Sequence, residues 1–238
     1  MRHSGRMKAE TAGPEQAVGT SAPRRRPVQR RSLERYERLL DASAGLLDEV
    51  GAGALTTKEV AQRARVPIGT LYQFFSGKES LLAALAARNL DRYLDRLARR
   101  IEAENPQGVA GFVDLAVEEF VAMKRTVPGF GQVDFGLVDR LPAEGTAPTD
   151  PAESAEPSDP EHLLDAELDN NEAVAVRLRV LGGAMFGSEG FPLALRVALE
   201  CADAVLKLAF RIDPDGDPTM IAECKRLLRC YLADQDPA

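Results

Sequence analysis

Residues 56–82 read TTKEVAQRARVPIGTLYQFFSGKESLL, and this stretch decides the fold. Thr56 and Glu59 stand three apart ahead of the apolar pair Val60 and Ala61, and Ser76 and Glu79 repeat the spacing ahead of Leu81 and Leu82. A hydroxyl and a carboxylate so spaced satisfy orphan backbone donors reciprocally, which predicts helices beginning near 57 and 78. Between them Pro67 supplies the fixed φ of a first helical turn, so a short helix fits over 67–75, entered through a tight turn at Arg65 and Val66. Helix, three-residue turn, short helix is the arrangement that lets a recognition helix enter a DNA major groove while its partner crosses the backbone.

Working outward, Leu33, Tyr36, Leu39, Leu40, Leu46, Leu47 and Val50 recur at three-and-four spacing, predicting a first helix over 32–50 that Gly51 ends. A fourth helix from 78 or 79 to 104 carries Leu82, Leu85, Leu90, Tyr93, Leu94, Leu97 and Ile101 on one side, and at 1.5 Å per residue it spans roughly 39 Å. Asn105-Pro106 stops it, a fifth helix follows over 107–125, and Val127-Pro128-Gly129 breaks the chain before an apolar segment at 130–141. Residues 142–160 hold five prolines and no large apolar side chain, so they read as a mobile acidic loop. Beyond it the pattern predicts helices over 161–186, 192–212 and from 217 to about 233, the last opened by Asp217 and Pro218. The 192–212 segment is apolar on two faces and needs cover on both.

Composition narrows the classes. With 45% hydrophobic residues over 238, the chain has enough apolar side chains for a core, but no apolar run of about 18 residues to span a membrane. The N-terminus lacks an apolar secretory segment, so the expected location is the cytoplasm. Cys201, Cys224 and Cys230 are odd in number and form no C-x-x-C pair, which favours reduced core cysteines over a disulfide or zinc site. The net charge of −7 conceals a split: residues 1–100 hold 19 Lys and Arg against 11 Asp and Glu, residues 101–238 hold 11 against 26. A duplex meets the local field, so this is a basic reading head on an acidic body. Residues 1–30, ending in a cluster of arginines, read as a disordered basic arm that either adds phosphate contacts or is a solvated tail.

The run Val66 to Glu79, with Leu-Tyr-x-x-Phe-x-x-Lys-Glu-x-Leu from Leu71 to Leu81 in phase with Thr-x-x-x-Val-Ala from Thr56, resembles the DNA-binding domain of TetR-family transcriptional regulators. The resemblance covers residues 31–100. It implies an all-α chain: an N-terminal three-helix helix-turn-helix domain over 31–78, then a larger helical ligand-binding and dimerisation domain over 79–235. It implies that Thr57, Thr70, Tyr72 and Lys78 hold phosphates while Ile68, Gly69 and Gln73 face base edges, with Phe74 either on the DNA face or in packing. A hydroxyl at a helix N-terminus suits a phosphate oxygen, and Gln73 has the donor and acceptor to pair with adenine. Arg65 stands where the family often has glycine, and Pro67 where it often has serine. The resemblance further implies a homodimer through 192–212 and 217–233, a double-stranded DNA operator, and a small-molecule effector. Phe112, Phe120, Met123, Phe130, Phe135, Leu178, Met185 and Phe186 are candidate walls of its pocket, the alternative for each being simple core.

No cofactor is expected. Asp213-Pro214-Asp215-Gly216-Asp217 alternates acids as a calcium loop does, but Pro218 and Cys224 occupy the positions where such a loop needs glycine and its bidentate acid. His162 beside Glu161, Asp165 and Asp169 reads as a solvated helix start, and no Ser-His-Asp or Cys-His set can be assembled, so an enzyme is not expected. The competing readings are a small-molecule carrier or interaction module that keeps the helix-turn-helix only as scaffold, and an architectural DNA binder without a ligand.

Overall fold

The computed structural model describes residues 26–133, 174–186 and 192–233. Of the disordered arm expected over 1–30, residues 1–25 lie outside these residues and 26–30 are instead the first turn of a helix; the acidic loop at 142–160, Phe135, and the acids around His162 also lie outside them. Among the described residues every regular element is a helix: α1 (Arg26–Ala54), α2 (Thr57–Ala64), α3 (Ile68–Phe74), α4 (Lys78–Glu104), α5 (Gly108–Thr126), α6 (174–182, tightening to a 3₁₀ turn at Gly183–Phe186), α7 (Pro192–Ile212) and α8 (Pro218–Ala233).

The caps explain the boundaries. Thr56 Oγ1 accepts the Glu59 N–H at 3.3 Å while the Thr56 N–H donates to the Glu59 carboxylate at 3.2 Å, the reciprocal box read from the sequence. The second start is displaced by one residue and keeps only half of a box, since its cap has no side chain. Helix α4 is capped at Gly77 rather than Ser76, and the Ser80 hydroxyl, not the Glu79 carboxylate, accepts the Gly77 N–H at 3.2 Å. Asp217 Oδ1 accepts the Met220 N–H at 2.8 Å, so this acid of the alternating run serves as a helix cap. Helix α1 starts at Arg26, ahead of the expected 32, with Pro27 in its first turn where a missing N–H costs nothing; Gly51 (φ 75°) kinks it, and one more turn follows to Ala54. The expected continuous helix to 186 instead turns 3₁₀ at Gly183, whose φ of 47° is incompatible with an α-helix.

Two apolar cores result. The first gathers Leu39, Leu40, Leu47, Val60, Leu71, Phe75, Leu81, Leu82 and Leu85 from α1 to α4. The second gathers Tyr93, Leu97, Phe112, Val113, Val121, Leu178, Phe186, Leu195, Leu206 and Leu228 from α4 to α8. We call the two regions head and body; α4 contributes to both. Ion pairs stitch the surface of each. In the head, Arg88 Nη1 reaches Glu37 at 3.1 Å and Asp41 at 2.7 Å. In the body, Arg100 and Lys225 hold Glu118 from α4 and α8 at 2.8 and 2.6 Å.

Candidate nucleic-acid interface and effector cavity

The α2–α3 pair sits on the head's outer side. The turn between the helices passes through Arg65 in the left-handed region (φ 53°, ψ 46°), with its N–H turned back to the Ala61 and Gln62 carbonyls. A non-glycine residue there costs on the order of 1 kcal/mol, offset here because the turn carries Val66 into the core, where it is 5% exposed. Leu71 and Phe75 point inward. Four positions of α3 are left outward: Ile68, Gly69, Tyr72 and Gln73 are all exposed, Tyr72 by 54%. Large apolar and aromatic side chains left in water on so short a helix are cheap only when something covers them.

The structure brings several of the candidate residues together. The Tyr72 hydroxyl lies 3.2 Å from the Thr57 hydroxyl, joining α3 to the start of α2. Lys78 Nζ donates to the Gly53 carbonyl at 3.2 Å, which places its charge beside the end of α1. Thr70 is half-buried. Phe74 is placed differently from the others: its ring meets Tyr36 edge-on at 5.8 Å and packs against the head's core.

In the body a cavity opens between α4, α5, α6, α7 and α8. Its empty space, open solvent at the mouth included, is about 850 Å³, of which about 100 Å³ is room for the centre of a water-sized sphere. Phe112, Phe120, Leu178 and Phe186 line it. Met123 and Phe130 are fully buried in the body's core without lining it, and Met185 is half-buried against the same core. The sequence reading missed Tyr93 on α4, the α7 wall of Ala198, Ala202, Asp203 and Leu206, and the α8 wall of Leu228 and Leu232. The two small alanines one turn apart on a helix apolar on both faces were the available signal, since a helix otherwise filled with leucine leaves room there. Gly182 has the reverse role: a Cβ at this position would overlap the Phe186 ring, which stands edge-on to Phe112 at 5.0 Å.

Polar groups on this lining are few. The Tyr93 hydroxyl donates to the Ala116 carbonyl at 3.0 Å, and burial first, then the Glu119 carboxylate, push its phenol well above the usual range. It stays a neutral donor. Asp203 is paired with Lys207 at 2.9 Å one turn away. Such a lining takes an apolar molecule and discriminates against a bare charge. Among the described residues no group of His, Cys, Asp and Glu could hold a metal ion, and no helix is long and apolar enough to cross a membrane.

Comparison with known proteins bears on both regions. Residues 39–85 match the profile described as bacterial regulatory proteins, tetR family, and residues 154–235 match the tetracyclin repressor-like C-terminal domain. A crystal structure of a TetR-family transcriptional regulator from Streptomyces coelicolor is 38% identical, covering 84% of this chain and 98% of that one, with a TM-score of 0.67. The chain belongs to the TetR family. Its members and the relatives found are transcriptional regulators, not enzymes. Among curated relatives, the HTH-type transcriptional repressor KstR of Rhodococcus jostii is 38% identical over 31% of this chain and 34% of its own length. The HTH-type transcriptional regulator UidR of Escherichia coli K12 is 32% identical over 45% of this chain and 50% of its own. The chain thus spans about a quarter to a half of the length of the curated relatives it matches. FadR from Bacillus subtilis, solved with stearoyl-CoA, shares the fold at 17% identity and a TM-score of 0.51 over 83% of this chain and 98% of that one.

Proposed function

We propose that this TetR-family regulator is a ligand-responsive repressor. It binds a palindromic operator as a homodimer and leaves DNA when a small lipophilic or aromatic effector fills the cavity. One observation carries the reading: a single uninterrupted helix, α4, starts at Lys78 in the head that carries the Tyr72–Thr57 pair and runs to Tyr93 in the cavity wall. Thr57, Thr70, Tyr72 and Lys78 supply phosphate contacts, and Ile68, Gly69 and Gln73 meet base edges. Phe74 contributes through packing.

Dimer formation is supported by a stripe of apolar residues left in water on α7, Leu193, Val197, Leu208 and Ile212, joined by Leu227 on α8. Covering it with the same helices of a second copy sets two heads on half-sites about one DNA turn, roughly 34–36 Å, or a multiple of it apart. That FadR holds an acyl-CoA on the same fold is consistent with an apolar effector, while the argument for this chain rests on its own lining. Release follows from differential affinity: an effector that prefers the conformation with misplaced heads shifts the population toward it, with typically 1–3 kcal/mol of coupling.

The test is fluorescence anisotropy against DNA from just upstream of the chain's own gene, beside scrambled DNA, at several salt concentrations. Tight binding to the first, lost on scrambling and weakened in a Tyr72→Ala, Lys78→Ala variant, is expected, and apolar compounds are then screened for release. Equal binding to both DNAs with a steep salt dependence would refute a specific regulator.

A further inference from the structure

Helix α4 is not the only connection between cavity and head. After α5 ends at Thr126 the chain turns through residues 127–133, and this short strap has a side chain in each core. Phe130, fully buried, belongs to the body and rests edge-on at 5.4 Å against Phe120, a cavity wall. Val133, also fully buried, belongs to the head. Its carbonyl accepts a hydrogen bond at 2.7 Å from Nδ2 of Asn89, a fully buried amide on α4. Just before Phe130, the Gly129 N–H donates to the Asp48 carboxylate on α1 at 2.9 Å. Gly129 has φ 74°, and a Cβ there would come within 2.8 Å of Ala44 Cα and 3.0 Å of the Ala44 carbonyl, so strap and α1 meet backbone to backbone.

We infer that residues 127–133 are a positioning strap that sets the orientation of the head on the body, with Gly129 and Asp48 as its clasp. A lone connecting helix resists stretching yet bends and twists over its length. A second attachment away from its axis removes that freedom. In a dimer the orientation fixes the spacing between two reading heads, so the strap determines whether both half-sites are met at once. Because Phe130 lies on Phe120, it also gives the cavity a route to the head that does not pass along α4. The inference rests on the reading of the chain as a dimeric DNA-binding regulator.

The experiment uses the full chain and a duplex that it selects from random DNA, compared with the same duplex cut to one half-site. Gly129→Ala pushes the strap off α1, and Asp48→Ala, at an exposed position, opens the clasp without crowding the core, so it remains informative if the first variant folds poorly. Both are expected to lose about tenfold or more in full-site affinity, with half-site affinity and helicity unchanged. Tyr72→Ala, by contrast, weakens both duplexes alike. Strap variants that keep the wild-type ratio of full-site to half-site affinity, or lose both together, overturn the inference and leave the proposed function standing. A wild-type chain that selects no two-half-site sequence removes both. Phe120→Leu tests the cavity route: its effect on the ratio is expected to vanish in Gly129→Ala, and additive effects would remove that route.

Discussion

Head and body are built from the same apolar residue types and differ in how they use space. In the head, Leu39, Leu40, Leu47, Leu71, Leu81 and Leu82 are 0–2% exposed, and Tyr36, Phe74 and Phe75 close the edge with rings 5.2–6.2 Å apart. In the body, residues just as buried, among them Phe112, Phe186 and Leu232, border a cavity. A reading surface must hold hydroxyls and base-facing side chains in register, which demands a closed core beneath it. A sensing region must have somewhere to put a ligand, and its stability then rests more on helix-to-helix stitching. Substitutions alike in chemistry should therefore give unlike results in the two regions.

The largest contrast is expected from leucine truncation. Leu71→Ala in the head removes a side chain with atoms on every side and should cost near the upper end of about 2–5 kcal/mol; Leu232→Ala, 2% exposed but facing the cavity, should fall near the lower end. Equal losses in urea denaturation would break the comparison. Enlargement reverses the sign. Ala44 and Ala198 are each 4% exposed, yet Ala44 packs against the strap backbone and Ala198 faces empty space. Ala44→Leu should destabilise by about 1–3 kcal/mol, while Ala198→Leu should be close to neutral or stabilising and should reduce uptake of an apolar dye.

The same difference governs how much was legible in the sequence. The head's reading surface is written locally: Thr56 with Glu59, the turn at Arg65 and the aromatic run are near neighbours, so caps and spacing locate α2, α3 and the start of α4 to within a residue or two, whereas α1 begins six residues ahead of its expected start. The cap at Gly77 shows the limit, because Ser80 takes the Gly77 N–H in place of the exchange expected between Ser76 and Glu79, and only geometry decides. The cavity is written nonlocally. Apolar spacing identifies Phe112 and Met123 alike as inward-facing, and which of them borders empty space depends on residues far along the chain on α7 and α8. The strap was the least legible. Val127-Pro128-Gly129 signals a break, but nothing in the pattern tells that Val133 lies in the head's core and Phe130 in the body's.

On the reading surface a smaller effect is expected, and it should appear in affinity alone. Tyr72→Phe removes the hydroxyl that meets Thr57 at 3.2 Å and leaves an exposed ring, so the melting temperature should barely move while operator affinity falls by about 1 kcal/mol, some fivefold. Lys78→Ala should weaken specific and scrambled DNA alike and lower the slope of log affinity against log salt by about 1. If Tyr72→Phe instead destabilises the fold and spares affinity, the hydroxyl pair is a structural link between α2 and α3 rather than part of a DNA contact.

The smallest effect concerns the body's stitching and is separable by pH. Glu118 is held below its ordinary value of 4.5, first by the hydrogen bond from Lys225 and then by that from Arg100, against an opposing effect of burial. A carboxylate with a depressed pKa in the folded state adds stability above its unfolded value, and that stability is lost as pH falls through the folded value. Wild type should therefore exceed Glu118→Gln in stability at neutral pH, and the difference should close below pH 4.5. Since 44% of the side chain is exposed, the expected gap is only a few tenths of a kcal/mol up to about 1, and less at high salt. In the head, Glu49 is likewise depressed by its hydrogen bond to Arg63, but that pair stands in open solvent and Glu49→Gln should leave the acid limb of the melting curve where it is. Thermal melts of the three proteins from neutral pH down through the carboxylate range decide the matter: a shift for Glu118→Gln without one for Glu49→Gln places stabilising charge pairs in the body, and equal shifts would make the two surfaces equivalent.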